Sequence, residues 1–181
     1  MEAAQIELRT VRREDEDSFR RAVDEYGFVP GVPFAFDYQP GEDFAAYVRK
    51  LEGWSRGENL PKDFVPNTYL IGVIGEEIVG RVSIRHELND FLSRIGGHIG
   101  YAVLPSKRGR GFATEILRLA LDRCRELGIE RALVTCDIDN PASRRVIEKN
   151  GGQFDGIVDD PEIEIPKRRY WIGTCRTNLN S

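Results

Sequence analysis

Apolar residues recur along this chain with two periods, and the switches between them mark out its elements. From Gln5 to Val11 they alternate, with Ile6 and Leu8 on one side, which predicts a strand. From Arg13 to Tyr26, Phe19, Ala22, Val23 and Tyr26 fall at helical spacing. Glu14, Asp15, Glu16 and Asp17 occupy the first turns of that helix, where acids complement its dipole. Phe44, Ala45, Tyr47, Val48 and Leu51 predict a second helix ending near Gly53. Thr68–Val73 and Ile78–His86 predict a hairpin, with IGEEIVG supplying the turn, and His98–Leu104 adds a third strand to the meander.

Helical spacing returns after Gly111 with Ala113, Ile116, Leu117, Ala120, Cys124 and Leu127, and Gly128 stops the helix. Arg131–Asp137 reads as a buried strand, and the preceding helix as the crossover that sets it parallel to the strand before. A short helix runs from Pro141 to Lys149 and closes at Gly151. Gln153–Val158 and Lys167–Thr174 form a terminal hairpin. The order β-α-α-β-β-β-α-β-α-β-β is that of a mixed α/β chain, expected to be one domain over residues 1–181.

The segment GFVPGVPFAFDYQPGED (27–43) follows neither period and is too aromatic for a simple linker. Its Phe28, Phe34, Phe36 and Tyr38, together with Trp54, either pack under a long loop or cover a site. The net charge is −4, so no global field draws the protein to nucleic acid or to an anionic membrane, and any basic patch is local. Cys124, Cys136 and Cys175 are odd in number and form no CxxC pair, which argues against a zinc site or redox dithiol. Reduced thiols, an N-terminus without a signal-peptide pattern and the absence of a long apolar run make a cytoplasmic protein the expectation.

The basic residues gather in SKRGRGFAT, between a strand and a helix. A helix start carries unpaired N–H groups and the positive end of the dipole. Gly109 and Gly111 let the backbone approach a large anion, and Lys107, Arg108 and Arg110 add charge around it. The ligand such a loop fits is a phosphate or pyrophosphate; the alternative is a solvated loop that happens to precede a helix. Neither GxxxxGK[ST] nor GxGxxG is present.

The run Arg108-Gly109-Arg110-Gly111-Phe112-Ala113 has the form R-x-x-G-x-A, and NPASRRVIEKNGG (140–152) lies one helix and one strand further on. In these two stretches the chain resembles the GNAT N-acetyltransferase superfamily. The family's Q/R-x-x-G-x-G/A loop follows its fourth strand and holds the pyrophosphate of acetyl-CoA. Its N-x-x-A-x-x-x-Y-x-K-x-G-F pattern meets Asn140, Lys149 and Gly151 here, with Ser143 at the alanine, Ile147 at the tyrosine and Gly152 at the phenylalanine.

The resemblance implies the GNAT acyl-CoA N-acyltransferase fold, with a central mixed sheet of about six or seven strands flanked by about four helices. It implies acetyl-CoA as co-substrate, a primary amine of a small molecule, peptide or protein as acceptor, and a homodimer in line with the family's frequent dimerisation. Cofactor contacts then fall on Val103, Leu104, Arg108, Gly109, Arg110, Gly111, Phe112, Ala113, Thr114, Asn140 and Ser143. A backbone N–H near Val103 or Leu104 would meet the thioester oxygen, provided the neighbouring strands splay apart.

For proton removal His98 is the preferred base, with Asp137, Glu87 and a chain of waters as alternatives. As acid, Ser143, Tyr101 and Tyr170 are the candidates once Ile147 stands at the tyrosine position. A thiol with a pKa of about 8.5 departs readily, so a positioned acid is expected to be dispensable. Cys136 sits in an apolar strand and reads as packing. The acidic chain makes a cationic acceptor one expectation. Two further classes stay open: a non-catalytic acyl-CoA-binding module, and a phosphate-binding domain of another kind, such as one that interacts with RNA.

Overall fold

The computed structural model of the chain describes residues 5–29 and 31–175. Its strands are β1 (Glu7–Arg9), β2 (Asn67–Ile74), β3 (Glu77–Arg85), β4 (Ile99–Val103), β5 (Arg131–Asp137), β6 (Gln153–Val158) and β7 (Lys167–Gly173). Its α-helices are α1 (Glu16–Tyr26), α2 (Phe44–Ser55), α3 (Phe112–Glu126) and α4 (Pro141–Lys149). The strands form one sheet in the order β1-β2-β3-β4-β5-β7-β6. β1 to β4 are an antiparallel meander, β5 is parallel to β4, and β7 lies antiparallel between β5 and β6. The GNAT resemblance implied this mixed sheet.

Both faces of the sheet are covered, and the near-continuous burial of β2 and β3 is the consequence. Alternation along β2 sends Leu70 to one face and Tyr69, Ile71 and Val73 to the other. The Leu70 face packs with Val82, Ile84, Ile99 and Val103 against Ile116, Leu117, Ala120 and Cys124 of α3 and Ile147 of α4. The Tyr69 face packs against Phe19 of α1, Phe44, Tyr47, Leu51 and Trp54 of α2, and Phe34 of the intervening segment. Burying side chains of this size contributes about 1.5–3 kcal/mol each relative to exposure. Phe34 and Trp54 are therefore core, while Phe28 is 92% exposed.

Two stretches depart from their predicted form. The helix expected from Arg13 opens as a 3₁₀ turn over Arg13–Asp15, and α1 starts at Glu16. Asp15 causes this: its carboxylate accepts the Arg12 N–H and both guanidinium nitrogens of Arg9, all at 2.7 Å, so it serves as a local cap. Between β3 and β4, where the sequence predicts no element, a π turn forms over Leu92–Gly96 and buries Leu92 and Ile95. Among the described residues, no helix is long and apolar enough to cross a membrane.

Candidate active site

The site begins where two neighbouring strands part. β4 and β5 pair at the single register Ile99–Val134, next to a bond from the His98 N–H to the Leu133 carbonyl at 2.7 Å. Gly97 permits that approach, since a Cβ there would lie 2.6 Å from the Leu133 oxygen. Beyond Ile99 the strands diverge. On its other edge β4 bonds β3: the Arg85 N–H donates to the His98 carbonyl at 2.8 Å and the Leu104 N–H to the Val79 carbonyl at 3.0 Å. Antiparallel bonding alternates along a strand, so the amides of Tyr101 and Val103 face the side where β5 has moved away. Of the two amides expected to meet a thioester oxygen, Val103 faces the gap. Leu104 does not, because Val79 occupies its N–H.

The basic loop closes one end of this gap. A 3₁₀ turn, Pro105–Lys107, leads through Arg108 into Gly109 and Gly111, with φ of 76° and 82°, and α3 follows. Both glycines adopt a left-handed conformation that costs an L-residue about 1–2 kcal/mol. A Cβ at either would meet nothing within 4 Å, so their surroundings are open space. The first turn of α3 has no side-chain cap, and the Glu115 N–H to Gly111 carbonyl bond is the first to close it. The preceding amides at the helix start are thus left for an external acceptor.

Of the three cations, Arg108 folds back, its Nε donating to the Val103 carbonyl at 3.3 Å, and Arg110 stacks on Phe112 at 5.0 Å. Lys107 faces away from the gap and pairs with Glu77 at 2.6 Å. Glu25 of α1 accepts the Ser106 N–H at 2.9 Å and so anchors the loop from behind.

The start of α4 borders the gap from the β5 side. Asn140 caps the helix, its Oδ1 accepting the Ser143 N–H at 3.0 Å. Ser143 Oγ lies 2.7 Å from the Tyr101 hydroxyl, which burial pushes well above the ordinary tyrosine pKa. Ile147, one turn on, is fully buried, and a Cβ on Gly152 would strike its side chain at 2.5 Å. The departures from the tyrosine and phenylalanine positions are therefore coupled: Ile147 fills the space that a larger residue at position 152 would need.

His98 stands at the closed end of the gap. Its Nδ1 accepts the Leu133 N–H at 2.9 Å, so in the neutral ring Nε2 carries the proton. Burial, and secondarily Arg85, holds its pKa below the usual histidine value. The Cys136 thiol is pushed up to about 11, chiefly by burial, and is not poised as a nucleophile. Asp137 is paired with Lys167.

Residues 5–153 match the sequence profile of the acetyltransferase (GNAT) domain. This chain belongs to the GNAT acetyltransferase family. No curated protein sequence matches it. Solved GNAT structures share the fold at low identity. The yncA protein of Salmonella typhimurium, solved with its cofactor acetyl-CoA, superposes with a TM-score of 0.62 at 12% identity, over 99% of each chain. RimL, a ribosomal L7/L12 α-N-protein acetyltransferase in complex with coenzyme A, gives 0.65 at 18%, over 94% of this chain and 95% of its own. A spermidine N-acetyltransferase SpeG chimera from Vibrio cholerae and hSSAT gives 0.60 at 17%, over 94% and 96%.

β3 of this GNAT chain also carries two arginines that the sequence pattern does not place at a site. On the face of the sheet away from α3, Arg81 and Arg85 project from β3 beneath Pro33 and Phe36. Arg81 is 1% exposed, donates to the Gly100 carbonyl at 2.9 Å and the Pro33 carbonyl at 2.5 Å, and stacks on Phe36 at 5.0 Å. Arg85 lines a cavity of about 200 Å³ with Ser83, Asn67, Phe36, Phe91 and Leu92. Arginines alternating with Val82 and Ile84 read in the sequence as a solvent-facing polar side, so no local signal marks them.

Proposed function

We propose that this chain transfers an acetyl group from acetyl-CoA directly to a primary amine. The observation that carries the reading is the parting of β4 and β5 after Ile99–Val134, with the Val103 amide turned into the gap and the uncapped start of α3 at its mouth. An ordinary parallel ladder would consume those amides and leave no such slot.

The residues fit the co-substrate class in separable ways. The amides at the start of α3, freed of side chains at Gly109 and Gly111 and flanked by Arg108 and Arg110, suit a diphosphate. Phe112, Ala113 and Thr114 form the first turn of α3, and Asn140 and Ser143 hold the opposite wall. When bound, acetyl-CoA supplies the acyl carbon and a thiolate leaving group. Val103 N–H is the donor for the developing negative charge on the acyl oxygen, since it is fixed by the strand and needs no reorganisation. Ser143, oriented by Tyr101, stands ready to donate to the departing sulfur.

We assign His98 a positioning role in place of the general-base role expected from the sequence. Its one basic nitrogen is committed to the Leu133 amide, and together with Gly97 it fixes the point where the strands divide. The acceptor's proton then passes to water. Purified protein should bind coenzyme A by calorimetry and release thiol from acetyl-CoA with at least one member of an amine panel. Tight coenzyme binding with no turnover on any amine would favour a non-catalytic acyl-CoA-binding module; absence of coenzyme binding would overturn both readings.

A further inference from the structure

The cavity on the β3 face contains a charge with no counter-charge. Arg85 Nη1 is sealed from solvent and has no hydrogen-bond partner, and no ion pair to Arg85 occurs among the described residues. The guanidinium lies against β4 at Gly100, where a Cβ would come within 3.0 Å of Nη1; only glycine leaves it that position. The charged neighbours make matters worse for it. Arg81, which is buried, stands on the same face and is held by carbonyls rather than by a carboxylate. Burial, with Arg81 adding repulsion, pushes the Arg85 pKa down to about 10. His98, just before β4, is disfavoured as a cation by its burial first and then by the same arginine. The single carboxylate in the lining, Asp63, is exposed and is not among the groups that perturb Arg85.

Nη1 is sealed beneath Gly100, while the rest of the guanidinium borders the cavity with no carboxylate or carbonyl of the described residues bonded to it; such a charge is costly and persists where a ligand completes it. The rest of the lining gives the ligand's scale. Phe36, Phe91 and Leu92 provide apolar wall, Ser83 and Asn67 provide polar groups, and about 200 Å³ is below the roughly 300–1,000 Å³ of pockets for drug-sized ligands. Gly100 lies three residues before Val103 on β4, or roughly 10 Å along the strand. That length matches a short molecule with an anion at one end and an amine at the other.

Resting on the acetyl-transfer reading above, we infer that the acceptor is a small carboxylate-bearing amine of the amino-acid class, its carboxylate held by Arg85 and its amine directed along β4 toward Val103. The planar guanidinium suits a carboxylate bidentately. A polyamine, the acceptor class in the SpeG chimera's name, would bring its cations against Arg85 and Arg81.

The test uses wild-type protein, Arg85→Gln and Arg85→Lys, each checked by thermal melting and by coenzyme A calorimetry. The probes are N-acetyl amino acids, which mimic the product, the matching N-acetyl carboxamides, and tripeptide amides beginning with aspartate. Spermidine is the cationic control. Wild-type should prefer carboxylates to carboxamides by about 10- to 100-fold, the scale of one charge-assisted hydrogen-bonded pair. Arg85→Gln should abolish that preference, and Arg85→Lys should keep part of it. Arg85-dependent binding of the aspartyl peptides, and not of the free N-acetyl amino acids, would keep the carboxylate and overturn the small-molecule assignment. Equal binding of carboxylates and carboxamides, binding of none, or tighter binding of spermidine would overturn the inference while coenzyme binding leaves the acetyl-transfer reading standing. Loss of coenzyme binding in wild-type protein would remove that reading itself.

Discussion

The Tyr101 and Ser143 hydroxyls meet at 2.7 Å across the gap between β4 and the start of α4. This pair ties the two walls of the slot together on the side where strand pairing has been given up. It also sets how much chemistry Ser143 performs. A general acid that must protonate its leaving group contributes about 10²–10⁴-fold to a rate. A thiolate leaves without that help, so Ser143→Ala should lower kcat by less than about tenfold, with coenzyme A affinity unchanged. Tyr101→Phe should behave alike, and the double variant should be no worse than either single one. Steady-state kinetics with calorimetry on the three variants check this, and a hundredfold loss in Ser143→Ala would show that a positioned acid is required.

Gly111 and Gly128 stand at opposite ends of α3 with nearly the same backbone, φ 82° and 77°, and a Cβ at either meets nothing within 4 Å. Replacing each by alanine should cost the same backbone strain, about 1–2 kcal/mol. Only Gly111 borders the amides offered to a diphosphate. Gly111→Ala should therefore weaken coenzyme A binding by tenfold or more, an expected cost on the order of 1.4 kcal/mol, while Gly128→Ala leaves it unchanged. Denaturant melts and calorimetry on both variants provide the comparison, and equal affinities would remove the loop from the binding site.

How much of this was legible in the sequence follows from the range over which each residue acts. The α3 crossover could be read because Ile116, Leu117, Ala120 and Cys124 mark their own buried face, and a crossover helix forces parallel pairing. The loop at Gly109 and Gly111 was legible for the same local reason. The insertion of β7 between β5 and β6 was not, because a hairpin pattern says only that its strands neighbour each other. The choice between the Val103 and Leu104 amides is not legible locally, because the register that gives the Leu104 N–H to Val79 is a long-range fact. Arg81, Ser83 and Arg85 alternate with Val82 and Ile84, which reads as a strand with a solvent-facing polar side. Pro33 and Phe36 cover that side, and nothing within β3 encodes the cover.

His98 should make folding stability depend on pH in a defined direction. Burial, then Arg85, holds its pKa below the unfolded value. Between those two values the unfolded chain binds a proton that the folded chain does not, so stability rises with pH through that window. The contribution is complete above about pH 6.5 and is lost as pH falls below it. His86 is depressed too, mainly by burial, so the informative quantity is a difference between proteins. Wild-type should lose more stability than His98→Gln between pH 7 and pH 5, as read by urea titrations at each pH. Identical slopes would mean that the ring is not held neutral against Leu133.

Arg81 and Arg85 share a strand, a face and a charge, yet removing them should act in opposite directions on stability. Arg81 adds a second hydrogen bond to the Gly100 carbonyl, which already faces Ser83 in the β3–β4 ladder, and truncating it leaves the Pro33 carbonyl without this partner. An unsatisfied buried acceptor costs about 1–3 kcal/mol, so Arg81→Met should lose about that much. At this chain length each kcal/mol lowers the thermal midpoint by about 2–4 °C. Arg85 Nη1 satisfies no protein group, and its burial is a standing cost without ligand. Arg85→Met keeps the apolar stem that packs in the cavity and removes the charge, so its midpoint should equal or exceed that of wild-type. A residue kept at the expense of stability is retained for binding, and differential scanning calorimetry of the ligand-free proteins separates the two arginines. A large drop for Arg85→Met would show that the guanidinium stabilises the fold and would undercut its assignment as an anchor for the acceptor.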